Sequence, residues 1–372
     1  MHSSHLRRAR GLRLALAAAT LALATGNALG AGDTIRQWQF TSDGAGSFKL
    51  ALRDVAQPKA ARNQVLLRVH AVALNRRDLL MRAGRYGLSA TKDGGIPLSD
   101  GAGEVIAVGA DVARFKVGDR VAGTFFEHWV DGPPSAAALA SARGGNGSGM
   151  LSEVIAADPE GLVTIPAHLS YEEAATLPCT GVTAWVALFK RGHVQPNQFV
   201  LIEGTGGVSV IGLQLAAAAG ARPIVTSSSD QKLERARALG AAGTVNYKTN
   251  ADWQKEVRSL THGAGVDQVL EVGGQDTLPK ALQALAYDGH VALIGGLSGF
   301  AADVPVGALM GLGATVSGIY VGSRADFEAL NEFVAAHKIK PIVDKVFTLE
   351  DAPKAFEAMN EGEFFGKIVI RL

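Results

Sequence analysis

Residues 199–209 decide the fold of this chain, and they read FVLIEGTGGVS. A short apolar run typical of a buried strand leads into a glycine-rich turn, and an Ala- and Leu-rich stretch with helical spacing follows. In such a unit the glycines allow a tight turn and let the backbone approach a pyrophosphate at the helix N-terminus. The pattern therefore predicts a dinucleotide site formed by Gly204, Thr205, Gly206, Gly207 and Val208. Ser209 takes the place of the third glycine of the usual pattern.

The sequence around this turn alternates between strand and helix patterns. Compact apolar runs predict strands at 199–202, 223–226, 266–271 and 290–294. Helical spacing predicts helices at 208–219, 232–239 and 278–286. Alternation of this kind indicates an α/β fold with a doubly wound parallel sheet. Gly295, directly after the last of these strands, is a further candidate for the cofactor site.

The end of the second strand bears on the choice of cofactor. NAD enzymes usually have a carboxylate there that binds the ribose hydroxyls, whereas this chain has Ser227 and Ser228, with Lys232 nearby. Hydroxyls and an ammonium group accommodate a 2′-phosphate, so the pattern favours NADP(H). Asp230 keeps NAD(H) open as an alternative, and the serines also suit a simple helix cap.

Composition excludes several classes of protein. The 372 residues are 47% hydrophobic, which excludes a mainly disordered chain. Lys and Arg number 36 against 35 Asp and Glu, so no strong net field recruits nucleic acid. The single cysteine, Cys179, excludes both an intrachain disulfide and a four-cysteine zinc site.

Residues 1–30 differ from the rest of the chain. Four arginines precede an apolar run at 14–24, and Ala28-Leu29-Gly30 places small residues before Ala31. This pattern predicts a signal peptide cleaved before Ala31, hence an exported, periplasmic protein without stable membrane association. The alternative is a non-functional leader on a cytoplasmic protein, and the export route is open.

Outside the glycine-rich region, the chain has three other recognisable parts. Short β-branched runs at 65–69 and 104–108 predict strands, and residues 131–149 predict a long exposed loop. Ser170 and Glu173 have the spacing of a helix capping box. The tail predicts a helix at 350–360 and then a closing strand at 366–370.

Several further motifs follow one another along the chain, and together with the glycine-rich turn they resemble those of the medium-chain dehydrogenase/reductase superfamily. They are Ala73–Asp78, Arg82–Tyr86, Gly101–Val105, Phe115–Val121, Cys179–Trp185, Lys232–Gly240 and Gly366–Val369. The resemblance covers about residues 34–372. It implies a GroES-like β-rich catalytic domain at 31–180 that is completed by 321–372, a Rossmann domain at 181–320, and a substrate cleft between them.

The departures from the family pattern concern its metal. Zinc alcohol dehydrogenases have a cysteine where this chain has Asn75, and a His-Glu pair at Ser99-Asp100; Cys179 matches the remaining ligand position. A catalytic zinc needs three protein ligands and an open position. We therefore expect no metal site, and the chain is most similar to the zinc-free quinone oxidoreductase and enone reductase branch, which includes members labelled alcohol dehydrogenase.

In that branch, a hydride passes from the nicotinamide to a quinone or an α,β-unsaturated carbonyl. The resemblance implies that Asn75 donates a hydrogen bond to the substrate carbonyl, that Tyr86 orients the substrate or delivers a proton, and that Thr183 packs against the nicotinamide. It also implies a homodimer or homotetramer paired through the strand edge near 307–320. Two alternatives remain: an alcohol or aldehyde dehydrogenase with an unusual metal site, and an exported dinucleotide-binding protein without catalysis.

Overall fold

The computed structural model describes residues 34–87, 91–145 and 148–372, so the signal peptide predicted for 1–30 lies outside the described residues. The strands of this part are β1 (Thr34–Ser42), β2 (Phe48–Ala56), β3 (Val65–Ala73), β4 (Asp100–Val108), β5 (Arg120–Gly123), β6 (Val154–Ala157), β7 (Leu162–Thr164), β8 (Phe199–Glu203), β9 (Arg222–Ser227), β10 (Gly243–Asn246), β11 (Val266–Glu271), β12 (Leu285–Leu293), β13 (Thr315–Gly318), β14 (Val343–Thr348) and β15 (Lys367–Arg371). Its α-helices are α1 (Arg76–Arg82), α2 (Ala136–Ala140), α3 (Tyr171–Ala175), α4 (Val182–Trp185), α5 (Gly207–Ala218), α6 (Asp230–Ala238), α7 (Trp253–Leu260), α8 (Leu278–Ala284), α9 (Val306–Leu312), α10 (Arg324–His337) and α11 (Ala352–Glu361). Among these helices, none combines the length and apolar character needed to cross a bilayer.

Six parallel strands form the sheet that the glycine-rich turn predicts. Their order is β10-β9-β8-β11-β12-β13, so the chain reverses direction across the sheet between β8 and β11. Along β8, Val200 and Ile202 pack in the same apolar cluster as α5, while Leu201 packs in another with Trp253 of α7 and Leu278 of α8. Both faces of the sheet are therefore covered, which confirms the α/β, doubly wound fold. Ligands of such sheets bind at the carboxyl ends of the strands, where the order reverses.

A second, mainly antiparallel sheet holds the first part of the chain and its tail together. Its order is β14-β15-β3-β4-β5-β7, with β6 paired to β3. β15 lies between β14 and β3, so the tail is hydrogen-bonded into the interior of this sheet. This sheet belongs to the GroES-like part of the fold, and the tail strand places residues of 367–371 against the start of α1.

The segment 131–149 differs in its second half from the exposed loop that its composition predicts. It contains α2, and the Arg143 side chain is 1% exposed, with its Nη2 donating to Glu127 at 2.9 Å. Gly144 and Gly145 have positive φ angles and bring the backbone against Leu98 and Met81. Residues 131–135 are exposed and irregular, as predicted, whereas Gly144 and Gly145 serve close packing, and the local sequence does not distinguish the two roles.

Candidate active site

The glycine-rich turn after β8 leaves an open cradle at the N-terminus of α5. Gly204 has a φ of 73°, and Gly206 is the N-cap residue. The first intrahelical bond runs from Val210 N to Gly206 O, so the amides before Val210 have no partner within the helix. A Cβ atom at Gly206 would meet no atom within 4 Å. Free amides beside open space fit the pyrophosphate of a dinucleotide.

Ser209 occupies the position of the third glycine of the usual pattern, and its surroundings show why a serine fits there. Its hydroxyl donates to the carbonyl oxygen of Glu203 at 2.7 Å, which ties the turn to the end of β8. Close packing of α5 on the sheet occurs at Gly212 instead, where a Cβ would lie 2.6 Å from Leu270 Cδ2. Gly207 is also constrained, because a Cβ there would lie 2.7 Å from Lys367 Cδ.

The serine cluster at 227–229 joins the end of β9 to the start of α6. Ser227 is buried, and Ser228 is half-buried beside it. The Ser229 hydroxyl accepts from the amide of Lys232, so the helix cap anticipated for this cluster is Ser229. Gly295 lies beside the end of β11, where a Cβ would come within 2.7 Å of the Val272 carbonyl oxygen.

The two charged candidates near these serines have partners of their own. The Asp230 carboxylate accepts from Asn246 Nδ2 at 2.8 Å. The Lys232 ammonium donates to the Gly362 carbonyl at 3.0 Å and lies near Glu363. Lys232 therefore links the Rossmann sheet to the tail of the chain.

Asn75 lies at the centre of a buried polar cluster, with Lys367 as its partner. Lys367 is 4% exposed, and its ammonium donates to the Leu74 carbonyl at 2.6 Å and to Asn75 Oδ1 at 2.7 Å. Burial lowers the pKa of Lys367, and the nearby Asp100 opposes that change. Sequence reasoning missed Lys367 as a site residue, because a lysine at the first position of a strand gives no local signal of burial.

Asp100 and Cys179 complete this cluster. The Asp100 carboxylate accepts from the Ser99 hydroxyl at 2.7 Å and from the Cys179 amide at 3.1 Å. Burial raises the pKa of Asp100 even though Lys367 and Asn75 favour its charged form. The Cys179 side chain is partly accessible by surface area, yet dense packing around it and Asp100 raise the pKa of its thiol. The thiol therefore remains protonated at neutral pH.

Asp78 is the second buried carboxylate beside Asn75. One of its oxygens accepts from the Asn75 amide at 2.7 Å, which fixes the start of α1. Burial raises the pKa of Asp78 to about 6, and Arg77 opposes that rise. The role suggested by this geometry is positioning of Asn75.

An aromatic cluster around Tyr86 forms the apolar side of the site. The Arg77 guanidinium stacks between the rings of Tyr86 and Phe125, at 4.9 and 4.7 Å from their centroids. The hydroxyls of Tyr86 and Tyr320 are 3.4 Å apart, and Phe126 packs edge-on against Tyr320. Burial, followed by the contact with Tyr86, raises the pKa of Tyr320. Sequence reasoning missed both Arg77 and Tyr320.

Three predicted catalytic residues thus occupy different parts of the domain junction. Asn75 lies in the polar cluster, and Tyr86 lies in the aromatic cluster. Arg77 connects the two, because it precedes Asp78 in α1 and its guanidinium lies 4.9 Å from the centroid of the Tyr86 ring. Thr183 is buried in α4, the short helix that packs against α5 and α10. The structure therefore brings Asn75 and Tyr86 to one region, with Thr183 on the helix next to the cofactor cradle.

The side chains of the polar cluster do not fit a zinc ion. Asn75 Oδ1 is bonded to an ammonium group, and both Asp100 oxygens already accept hydrogen bonds. A dication would lie beside the Lys367 cation without the three anionic or imidazole ligands that zinc requires. Within the described ranges, no group of three or more His, Cys, Asp or Glu side chains is arranged to hold a metal ion.

Comparisons with known proteins agree with this architecture. Residues 61–167 match the alcohol dehydrogenase GroES-like domain, and residues 207–336 match the zinc-binding dehydrogenase family. A zinc-type alcohol dehydrogenase-like protein of Schizosaccharomyces pombe is 41% identical over 315 residues, which cover 83% of this chain and 91% of that protein. Quinone oxidoreductase-like protein 2 of Bos taurus is 30% identical, covering 87% and 89%. A crystal structure of a putative alcohol dehydrogenase from Sinorhizobium meliloti has a TM-score of 0.86 at 39% identity, covering 91% and 99%.

The fold and the site together define a two-domain oxidoreductase that uses a nicotinamide dinucleotide. The parallel sheet carries the glycine-rich turn, and residues on and beside the GroES-like sheet, together with Tyr320, form the polar and aromatic clusters of the candidate site. The chain belongs to the medium-chain dehydrogenase/reductase superfamily.

Proposed function

We propose that this oxidoreductase works without zinc and transfers a hydride from NADPH to a quinone or an α,β-unsaturated carbonyl. The observation that carries the proposal is the bond between Lys367 and Asn75, which puts an ammonium group against the position of a zinc-ligating cysteine in zinc alcohol dehydrogenases. Oxidation of an alcohol needs strong stabilisation of an alkoxide, which zinc supplies. Hydride addition to a conjugated acceptor spreads the charge and needs only a few hydrogen-bond donors.

Asn75 is the donor that this geometry favours. An ammonium group can only donate, so the amide oxygen of Asn75 must face Lys367, and Nδ2 must point away from it. Nδ2 is buried and makes no well-aligned hydrogen bond to the described residues. The Asn75 side chain lies close enough to Asp100 to lower the pKa of the Asp100 carboxyl group. When bound, the nicotinamide supplies the hydride, while Asn75 holds the acceptor oxygen and the surrounding apolar residues exclude water.

The preference for NADP(H) over NAD(H) is part of the same proposal. It is supported by Ser227 and Ser228 at the end of β9, where an NAD enzyme would place an acid. One oxygen of the Asp230 carboxylate is already bonded to Asn246. Lys232 bonds to Gly362 and would have to exchange this carbonyl for a 2′-phosphate.

Association and location are further proposals. β13 is the edge strand of the parallel sheet, and Val306, Met310 and Val316 on or beside it are exposed. Exposed apolar edges favour pairing, so we propose a homodimer or homotetramer. Export to the periplasm is proposed from residues 1–30 alone, with the cytoplasm as the alternative.

The proposed function predicts that activity survives metal removal. The chain from Ala31, treated with a chelator, is expected to keep full turnover of a naphthoquinone or a simple enone with NADPH, measured by nicotinamide absorbance. Elemental analysis is expected to find far less than one zinc per chain. Alcohol oxidation that is lost on chelation and restored by zinc would instead support an alcohol dehydrogenase, which the names of the relatives favour.

A second prediction concerns the proton. Tyr86→Phe is expected to lower kcat on a naphthoquinone by about 100-fold if its hydroxyl donates the proton or orients the acceptor. Tyr320→Phe is the matched control, because it breaks the same contact between hydroxyls and leaves Tyr86 in place. Unchanged turnover in Tyr86→Phe, or an equal loss in both variants, would remove Tyr86 from the mechanism and leave proton delivery to solvent.

A further inference from the structure

Two buried glutamates lie side by side beneath the cofactor cradle. β8 and β11 are parallel neighbours, with Ile202 aligned with Leu270, so the next residues, Glu203 and Glu271, meet at the carboxyl end of the sheet. Residues aligned in this way project to the same face. Both side chains are buried, and the Glu203 backbone carbonyl also anchors the turn through Ser209.

Each carboxylate uses one oxygen to hold the loop after β11. Glu271 Oε1 accepts from the amides of Gly273 and Gly274 at 2.7 Å and from the Thr277 hydroxyl at 2.6 Å. Glu203 Oε2 accepts longer bonds from the amides of Val272 and Gly273, at 3.3 and 3.4 Å. The pair therefore joins the two loops that border the cofactor site.

The other two oxygens, Glu203 Oε1 and Glu271 Oε2, are buried without any donor among the described residues. Glu271 is the charged group that faces Glu203, while α5 contains no charged residue and the adjoining Asp276 is exposed. Two ionised carboxylates cannot both remain in such a place, and a proton held between them removes the repulsion. The same surroundings raise the pKa of Glu203.

We propose that Glu203 and Glu271 share one proton, and that binding of the dinucleotide requires this proton. With the proton the pair carries one negative charge, and its loss to solvent leaves two negative charges below the site of a pyrophosphate. The second charge repels the pyrophosphate and pushes apart the two loops that the pair holds together. Affinity for the cofactor therefore falls as the pH rises through the titration of the pair.

The test compares the pH dependence of NADPH binding in the wild-type chain and in Glu203→Gln. Glutamine is neutral at every pH and can donate to Glu271 Oε2 while its oxygen accepts from the amides. Both Kd values are measured by NADPH fluorescence from about pH 6 to about pH 9. The titration of the cofactor affects both values equally, so it cancels in their ratio. We expect a constant ratio at low pH, followed by weakening of wild-type binding by up to about tenfold for each pH unit.

Two measurements keep the result specific. Glu256→Gln removes an exposed carboxylate from α7 and is expected to follow the wild type at every pH. Calorimetric titration of the wild type in buffers with different ionisation enthalpies is expected to show proton uptake when NADPH binds at high pH, and it needs no variant to fold. A constant Kd ratio across the range, or absence of proton uptake, would overturn the proposal. Neither measurement involves a hydride acceptor, so the result is independent of the proposed quinone or enone chemistry.

Discussion

Replacement of Lys367 by Met is expected to lower the free energy of unfolding by about 3 to 5 kcal/mol, because it leaves a buried charge without its partner. The ammonium group is 4% exposed and bonds to Leu74 and Asn75, and its charge stabilises the buried carboxylate of Asp100. Urea unfolding followed by circular dichroism measures the loss. Turnover is expected to fall as well, since the amide of Asn75 is then free to rotate.

The double variant Lys367→Met/Asp100→Asn provides the control. It removes both charges, so it is expected to regain part of the stability that the single variant loses. The loss in the single variant is also expected to shrink at low pH. Burial raises the pKa of Asp100 in the folded protein, so folding favours its neutral form, and that contribution is present at low pH and lost as the pH rises. A single variant as stable as the wild type would show that Lys367 does not stabilise the cluster.

Gly206→Ala is expected to raise the Kd for NADPH by about 10- to 100-fold, the cost of one obstructing methyl group at a close contact. A Cβ at this position meets no protein atom within 4 Å, and φ is −81°, so the free energy of unfolding is expected to stay near that of the wild type. The methyl group would instead occupy the open space in which the pyrophosphate is proposed to lie.

Two further alanine variants separate affinity from stability. Gly207→Ala is expected to lower both the affinity for NADPH and the free energy of unfolding, because its Cβ would lie 2.7 Å from Lys367 Cδ and 2.9 Å from Thr180 Cγ2. Gly311→Ala, in α9, meets no atom within 4 Å and is expected to retain the affinity of the wild type. NADPH binding unaffected by Gly206→Ala would place the cofactor elsewhere.

The parallel sheet could be predicted from the sequence because its strands are buried on both faces. Such strands are continuous apolar runs, and the expected bounds of β8, β9 and β11 lie within one residue of those observed. β12 begins at Leu285 rather than His290, because Leu285 already pairs with Val266 of β11. The irregular stretch before pairing resumes at His290 contains Asp288, which has a φ of 56°, and an Asp-Gly pair is typical of a turn, so the local sequence indicates a later start. The expected capping box of Ser170 and Glu173 is confirmed by hydrogen bonds in both directions.

The candidate site could be predicted only in part, because its contacts join distant parts of the chain. The glycine cradle is local and can be recognised from a few residues, whereas Lys367 and Asn75 are 292 positions apart. A lysine in a strand is ordinarily exposed, and no local pattern indicates that this one ends beside a buried amide. The meeting of Glu203 and Glu271 depends on strand order, which a sequence pattern does not specify.

Insertion of β15 into the interior of the antiparallel sheet has a consequence for the timing of synthesis. A ribosome adds 292 residues between Asn75 and Lys367. At the usual rate of translation this takes about 15 to 60 s. During that interval Asn75 and Asp100 have been synthesised, but Lys367, whose ammonium group bonds to Asn75, has not. The polar cluster around Asn75 is therefore complete only after β15 has docked between β14 and β3.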